Sequence, residues 1–158
     1  MDLRLLYAVI LTIMPVTELR AGLPLALVYA RDVGIPTWLI FLMIILLNIL
    51  VIFFVFYFLD NMHKIFLKIK IYRRLFEKYL ERFQKKVDKF ENKYSALGFL
   101  ALVAFVAVPL PGTGAWTGVL LSWLLDLDRK KSILAISTGV ILAGIFILLG
   151  TLAFFSFL

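Results

Sequence analysis

The chain has 158 residues, 63% of them hydrophobic, with a mean hydropathy of +1.02 and a formal net charge of +7. Soluble domains average about 45–50% apolar residues, so this composition describes an integral membrane protein folded as one unit. The lack of cysteine excludes a disulfide framework, a thiol nucleophile and a cysteine metal site, and the single His63 excludes a histidine cluster within one protomer. The basic residues sit beside membrane segments, which points to an anionic membrane surface and not to nucleic acid.

The first apolar run, Leu5 to Val16, is 12 residues long, and the next, Ala21 to Ala30, is 10. Between and across their ends lies PVTELRAGLP, from Pro15 to Pro24. A straight crossing takes about 20 apolar residues, and each arm reaches half that depth. Residues 3–30 are therefore expected to form a re-entrant hairpin, turning at mid-membrane with Glu18 and Arg20 at a tip shaped by Pro15, Gly22 and Pro24. Such a tip must face protein or a water-filled cavity. Pro24 suits the first helical position of the returning arm. The opening MDLRLLYAVILTIM has the basic-then-apolar order of a signal peptide, but no small-x-small cleavage site follows, so it is expected to be retained. After the polar turn RDVGIP, Thr37 is placed to cap a helix over 37–59 that has no Gly, Pro or charge and is long enough for a full crossing. Its polar interior residue is Asn48.

Residues 61–95 are of different material, holding 11 of the 17 Lys and Arg residues and no Gly or Pro. Ile65, Ile69, Tyr72, Phe76, Tyr79, Phe83, Val87, Phe90 and Tyr94 cover 29 residues in eight steps, a period of 3.6. An amphipathic basic helix on the cytoplasmic side is expected, lying against anionic lipid headgroups or a partner.

The opening pattern then recurs. An apolar arm from Ala96 to Val108 leads into PLPGTG (Pro109, Pro111, Gly112, Thr113, Gly114), and a second arm runs from Ala115 to Leu125. A charged turn over 126–131 precedes a final apolar helix, 132–158. Sliding the chain by 94 residues sets Pro15 on Pro109, Ala21 on Ala115, Leu27 on Leu121 and Asp32 on Asp126 without a gap. Two broken segments, each followed by a spanning helix, point to an inverted repeat with its binding site at the breaks. The expected units are 1–60 (hairpin 3–30, helix 37–59), 61–95, and 96–158 (hairpin 96–125, helix 132–158). Full crossing of both broken segments would put 61–95 and Arg129–Lys131 on opposite sides, against the positive-inside bias. Two hairpins put both basic stretches in the cytoplasm and both termini outside, with the repeats antiparallel. The fold class is thus all-α and membrane-embedded.

At each tip the first N–H groups of the returning half-helix lack partners and carry the positive end of the helix dipole. Gly112, Thr113 and Gly114 suit that exposure, Arg20 adds a fixed positive charge, and an anionic group such as a phosphate or carboxylate is the expected ligand. Glu18 is the expected proton carrier; burial and the neighbouring guanidinium act on it in opposite senses. The bland alternative is a Glu18–Arg20 ion pair that only locks the hairpin. Asn48 is expected to bond a neighbouring helix or the tip, with a substrate role less favoured, and Trp116 to line the cavity. Ala135, Gly139 and Ala143 form a small-residue stripe for close helix packing. No nucleophile–base set or metal-ligand spacing appears, so neither an enzyme nor a cofactor is expected.

TELRAGLPLA before one spanning helix and PLPGTGAWTG before another resemble the small multidrug export protein family, similar in plan to the DedA/VTT superfamily with two re-entrant hairpins in inverted repeat. The resemblance covers nearly the whole chain and implies a membrane transporter. DedA-type relatives are associated with carrier-lipid phosphate transport and VTT relatives with lipid scrambling. Glu18 matches the acidic tip residue of that plan. The arginines of a DedA-like second hairpin have no counterpart here, where Arg20 is the only tip arginine. The function expected is a small secondary transporter, proton- or ion-coupled through Glu18, moving an amphipathic or anionic substrate such as a lipid phosphate or a drug-like molecule. An uncoupled lipid scramblase and a non-transporting scaffold acting through 61–95 are the alternatives. Two spans enclose little, so a homo-oligomer, a dimer first of all, is expected.

Overall fold

The computed structural model describes residues 3–61, 97–110 and 112–156. All its regular structure is helical: α1 (Leu3–Ile13), α2 (Glu18–Val33), α3 (Thr37–Asn61), α4 (Leu97–Ala107), α5 (Ala115–Leu124) and α6 (Arg129–Ser156). The basic segment 61–95 lies, apart from Asn61, outside the described residues, as do Pro111 and His63.

Three lengths of helix are present, the intermediate one being α2 with 16 residues. α3 has 25 residues and α6 has 28, with mean hydropathies of 3.3 and 2.5 over their most apolar stretches, long and apolar enough to cross a membrane. At 1.5 Å per residue they run roughly 37 and 42 Å, against a hydrocarbon core of about 30 Å. α1, α4 and α5 have 11, 11 and 10 residues, roughly half a crossing each. α3 keeps Leu42, Leu50, Phe54 and Tyr57 exposed while burying Ile44, Asn48 and Ile52. A helix apolar on every side has its outer face in lipid and its inner face in protein.

α1 and α2 lie side by side and antiparallel. Arg4, at the start of α1, pairs with Asp32, near the end of α2, at 2.7 Å, and Gly22 faces Ala8 and Thr12 between them. A Cβ on Gly22 would overlap Thr12 Oγ1 and stand 2.9 Å from the Ala8 carbonyl, so the approach depends on glycine. In the second half, α4 packs chiefly on α6 and only lightly on α5. Gly139 of α6 sits against Val103 and Val106 of α4, and Gly118 of α5 meets Val106 and Ile136. Across the halves, α2 rests on α6, α5 on α3, and α3 on α6. Ala135, Gly139 and Ala143 are all buried along α6.

Some boundaries differ from expectation. α2 begins at Glu18, so Pro24 is the seventh residue of a 16-residue helix and not its first. Its missing N–H spares only the carbonyl of Arg20, in the first turn, and the helix continues. The turn is therefore short, residues 14–17, and Glu18 and Arg20 belong to the first turn of the returning helix and not to an extended tip. Thr37, expected as a cap, is already helical. α6 starts at Arg129, earlier than 132, because the Asp128 carboxylate accepts the Lys131 N–H at 2.8 Å and caps the first turn. At the other end of α2, Gly34 (φ 77°) takes the left-handed C-cap, and Ile35 N–H returns to Ala30 O at 2.8 Å.

Candidate functional site

The site forms where α1 ends, α2 begins and α5 begins. A helix C-terminus leaves its last four carbonyls without intrahelical donors, which in an apolar medium is costly. α1 has all four provided for. Met14 N–H donates to Ile10 O (3.1 Å), Thr17 Oγ1 to Leu11 O (2.7 Å), Asn48 Nδ2 to Thr12 O (3.2 Å) and Trp116 Nε1 to Ile13 O (3.0 Å). Asn48 is the twelfth of the 25 residues of α3, so α1 ends beside the middle of a spanning helix. Leu19 likewise packs near Gly144, close to the middle of α6.

The opposite problem arises at α5, whose first N–H groups need acceptors. Its N-cap is Gly114, which has no side chain to offer. The acceptor comes from α2: Glu18 takes the Ala115 N–H on Oε2 and the Trp116 N–H on Oε1, both at 3.1 Å. A carboxylate on the positive end of a helix dipole, bonded through both oxygens, is a favourable anion site. Gly114 makes it possible. Its φ of 154° and ψ of −163° belong to glycine, and a Cβ there would overlap the Glu18 carboxylate. Glu18 itself holds φ 46°, left-handed for a residue with a Cβ, and is only 4% exposed.

Arg20 completes the junction. Its Nη2 donates to both the carbonyl and the Oγ1 of Thr113, the latter at 2.7 Å. Thr113 Oγ1 in turn shares its proton between Val108 O (2.7 Å) and Leu110 O (2.9 Å), bracing the turn before α5. Glu18 and Arg20 make no ion pair with each other; each charge is turned to the second half of the chain. The simple locking pair is thereby corrected: two positions apart in a helical turn, the side chains diverge. The expected anion clamp is also filled from within, its backbone N–H groups by Glu18 and its guanidinium by Thr113.

Other expected residues lie at graded distances from this point. Thr113 and Gly114 are in the junction, whereas Gly112 (φ 80°) has nothing within 4 Å of where a Cβ would stand. Pro15 and Pro109 are exposed in the two turns. Gly22 is spent on α1–α2 packing. Trp116 caps α1 and does not line the cavity. That cavity has room for a single water, about 10 Å³, and is bounded by Glu18, Arg20, Asn48, Val106, Gly114 and Val140 among others. Beyond it, an open groove of about 570 Å³ runs between α2 and α6, walled by Ala21, Pro24, Val28, Ile147, Gly150 and Phe154.

Sequence reasoning expected free N–H donors at the start of α5 but did not find Glu18 as their acceptor, and it did not reach the carbonyl caps from Thr17 and Trp116. Nor did it find the cluster joining α3, α5 and α6, where Asp60 accepts from Arg129 (2.8 Å) and Trp123 Nε1 (3.2 Å). Arg129 there lies 4.3 Å from the Phe56 ring centroid. The one available signal was an acid at the end of an apolar run facing a basic turn.

Neither a curated protein nor a solved structure matches the chain. A family model described as "Putative small multi-drug export protein" matches residues 18–146, from Glu18 through most of α6. With its two apolar spanning helices and the broken segments before them, the chain is a membrane protein that belongs to this small multi-drug export family.

Proposed function

We propose that the protein is a small secondary transporter of the cytoplasmic membrane in which Glu18 couples movement of an amphipathic or anionic substrate to a proton. One observation carries the reading: the N-terminus of α5, a ready anion site, is occupied by the protein's own buried carboxylate. Ionised Glu18 latches α2 to α5. Protonated Glu18 gives up its charge and its hold on the two N–H groups, and a substrate anion can take its place. The same donors thus serve carboxylate or substrate in turn, which links proton binding to substrate binding and proton loss to substrate release.

In this reading α1–α2 and α4–α5 are re-entrant hairpins and the two halves an inverted repeat, on the plan of the DedA/VTT superfamily. The half-length helices, the end of α1 beside the middle of α3, and the matching packing of α2 on α6 and α5 on α3 support it. Both termini then face outward, 61–95 and 129–131 face the cytoplasm, and the basic segment meets anionic headgroups. Two spans enclose little, so the working unit is a homo-oligomer. The protein is a carrier and not an enzyme.

The test is flux in liposomes under an imposed pH gradient, using a fluorescent anionic phospholipid and, separately, an amphipathic dye. Wild type responds to the gradient and Glu18→Gln does not. The almost wholly apolar groove beside Ala21 also suits an uncoupled lipid scramblase, and lipid flux in wild type that ignores the gradient would identify one. If Glu18→Gln retains all activity and removal of the charges in 61–95 abolishes it, the protein is a scaffold.

A further inference from the structure

Asn48 is the polar residue of α3 buried to 1% exposure, and its two polar atoms fare differently. Nδ2 donates to Thr12 O at 3.2 Å, whereas Oδ1 has no partner. The assignment is fixed by the contact, because a flipped amide would set oxygen against the Thr12 carbonyl oxygen. A buried acceptor left bare costs about 1–3 kcal/mol, so its retention needs a reason. Asn48 also lines the water-sized cavity that Glu18 and Arg20 border.

Donor and acceptor bookkeeping supplies the reason. Ionised Glu18 only accepts, and both its oxygens are used, by Ala115 and Trp116. A protonated Glu18 acquires an O–H donor, which those two N–H groups cannot receive. It must point to an acceptor. Among the described residues the buried side-chain acceptor that borders the same cavity and stands unused is Asn48 Oδ1. The other groups facing Glu18 do not compete. α4 presents Val106, α5 presents Gly114 and Ala115, and α6 presents Val140 and Ala143, none of them titratable. α1 contributes no titratable residue in its last turn, Ile10 to Ile13, and Arg20, the charged neighbour on α2, is a donor only.

We propose that Asn48 Oδ1 is the seat for the Glu18 proton: in the protonated state the carboxyl O–H donates to it, directly or through the one water the cavity admits. Asn48 is then a positioning residue with two settings, holding the end of α1 through Nδ2 and waiting for a proton through Oδ1. This rests on the reading of Glu18 as proton carrier and adds the place where the proton is held.

The test is infrared difference spectroscopy, acid minus neutral, on the full-length protein in lipid. The protonated-carboxyl C=O band of Glu18 is identified by its loss in Glu18→Gln. In wild type it should have the frequency of a carboxyl donating a hydrogen bond. In Asn48→Leu it should move to that of a free carboxyl, with proton binding weakened up to about tenfold, and Asn48→Ser, which keeps an oxygen acceptor, should recover part of the shift. A second measurement avoids the chance that the leucine variant does not fold. With isotope-labelled asparagine (Asn48, Asn61 and Asn92 are the three in the chain), the side-chain amide C=O of wild type should shift on acidification and stay fixed in Glu18→Gln. A Glu18 band unchanged in Asn48→Leu, or an asparagine band that ignores Glu18, overturns the seat and leaves the proton carrier standing. No Glu18 band in wild type at any pH overturns both.

Discussion

Gly114→Ala is the smallest change that tests the junction. Two costs follow from the structure and they can be separated. The backbone at φ 154°, ψ −163° is glycine's, and holding an alanine there costs about 1–3 kcal/mol. The new Cβ would also overlap the Glu18 carboxylate, which must leave the Ala115 and Trp116 N–H groups. Hydrogen bonds to a charged group contribute about 1.5–3 kcal/mol each, so losing one or both adds roughly 1.5–6 kcal/mol. Gly112→Ala is the internal control, since its φ of 80° also disfavours alanine but nothing lies within 4 Å of the added carbon; it should cost only about 1–2 kcal/mol. The assay is equilibrium unfolding by SDS in mixed micelles, with both glycine variants made in wild-type and Glu18→Ala backgrounds. Gly114→Ala should exceed Gly112→Ala by at least about 1.5 kcal/mol, and most of that excess should vanish when Glu18 is alanine. Equal costs for the two glycines, or an excess that survives removal of the carboxylate, would refute the contact on which the site is built.

Four further outcomes are expected. Thr113→Val, which keeps the shape and removes the hydroxyl, takes away the bonds to Arg20, Val108 and Leu110 and should destabilise by about 1–3 kcal/mol in the same unfolding assay. Gly22→Ala and Gly139→Ala press a methyl onto the Ala8 and Val103 carbonyls at 2.9 Å, and each should cost about 1–3 kcal/mol. A Cβ at Gly150 meets nothing within 4 Å, yet the residue stands in the α2–α6 groove; in Gly150→Leu stability should hold while liposome flux falls several-fold. A membrane-impermeant thiol reagent should label Lys78→Cys and Lys130→Cys from the same side, and labelling from opposite sides contradicts the hairpin topology.

The two spanning helices were legible because 37–59 and 132–158 are long apolar runs, and the breaks because prolines and glycines, joined in the first by two charges, divide apolar arms too short to cross. The limits of α2 were not. A proline within an apolar stretch reads as a helix start, but inside a packed bundle one lost hydrogen bond in the first turn does not end the helix, so α2 begins six residues before Pro24. The start of α6 was hidden by its charges, since RKK reads as a turn until Asp128 is seen to cap it. At the site, Glu18 and Arg20 stood out because a charge in an apolar run is expensive. What they hold carries no mark in the sequence: nothing pairs Glu18 with the backbone N–H groups of Ala115 and Trp116, 97 and 98 positions away, or Arg20 with Thr113. That separation in sequence is why the residues alone offer each charge a ligand, a proton or the other charge, and not a partner across the molecule. Thr17 and Trp116 show the same limit, each serving a carbonyl of α1 that only the folded chain brings near, whereas Asn48 bonds a neighbouring helix as its lone polar place in the interior of α3 suggested.

The central claim is that the charge on Glu18 holds the start of α5. The most direct measurement is the amide proton shift of Ala115 and Trp116 as a function of pH, by NMR of the protein in nanodiscs. Both amides should move together with one midpoint as the carboxylate is protonated, and both should be flat in Glu18→Gln. Amides that stay fixed in wild type, or that titrate equally well without the carboxylate, would contradict the latch.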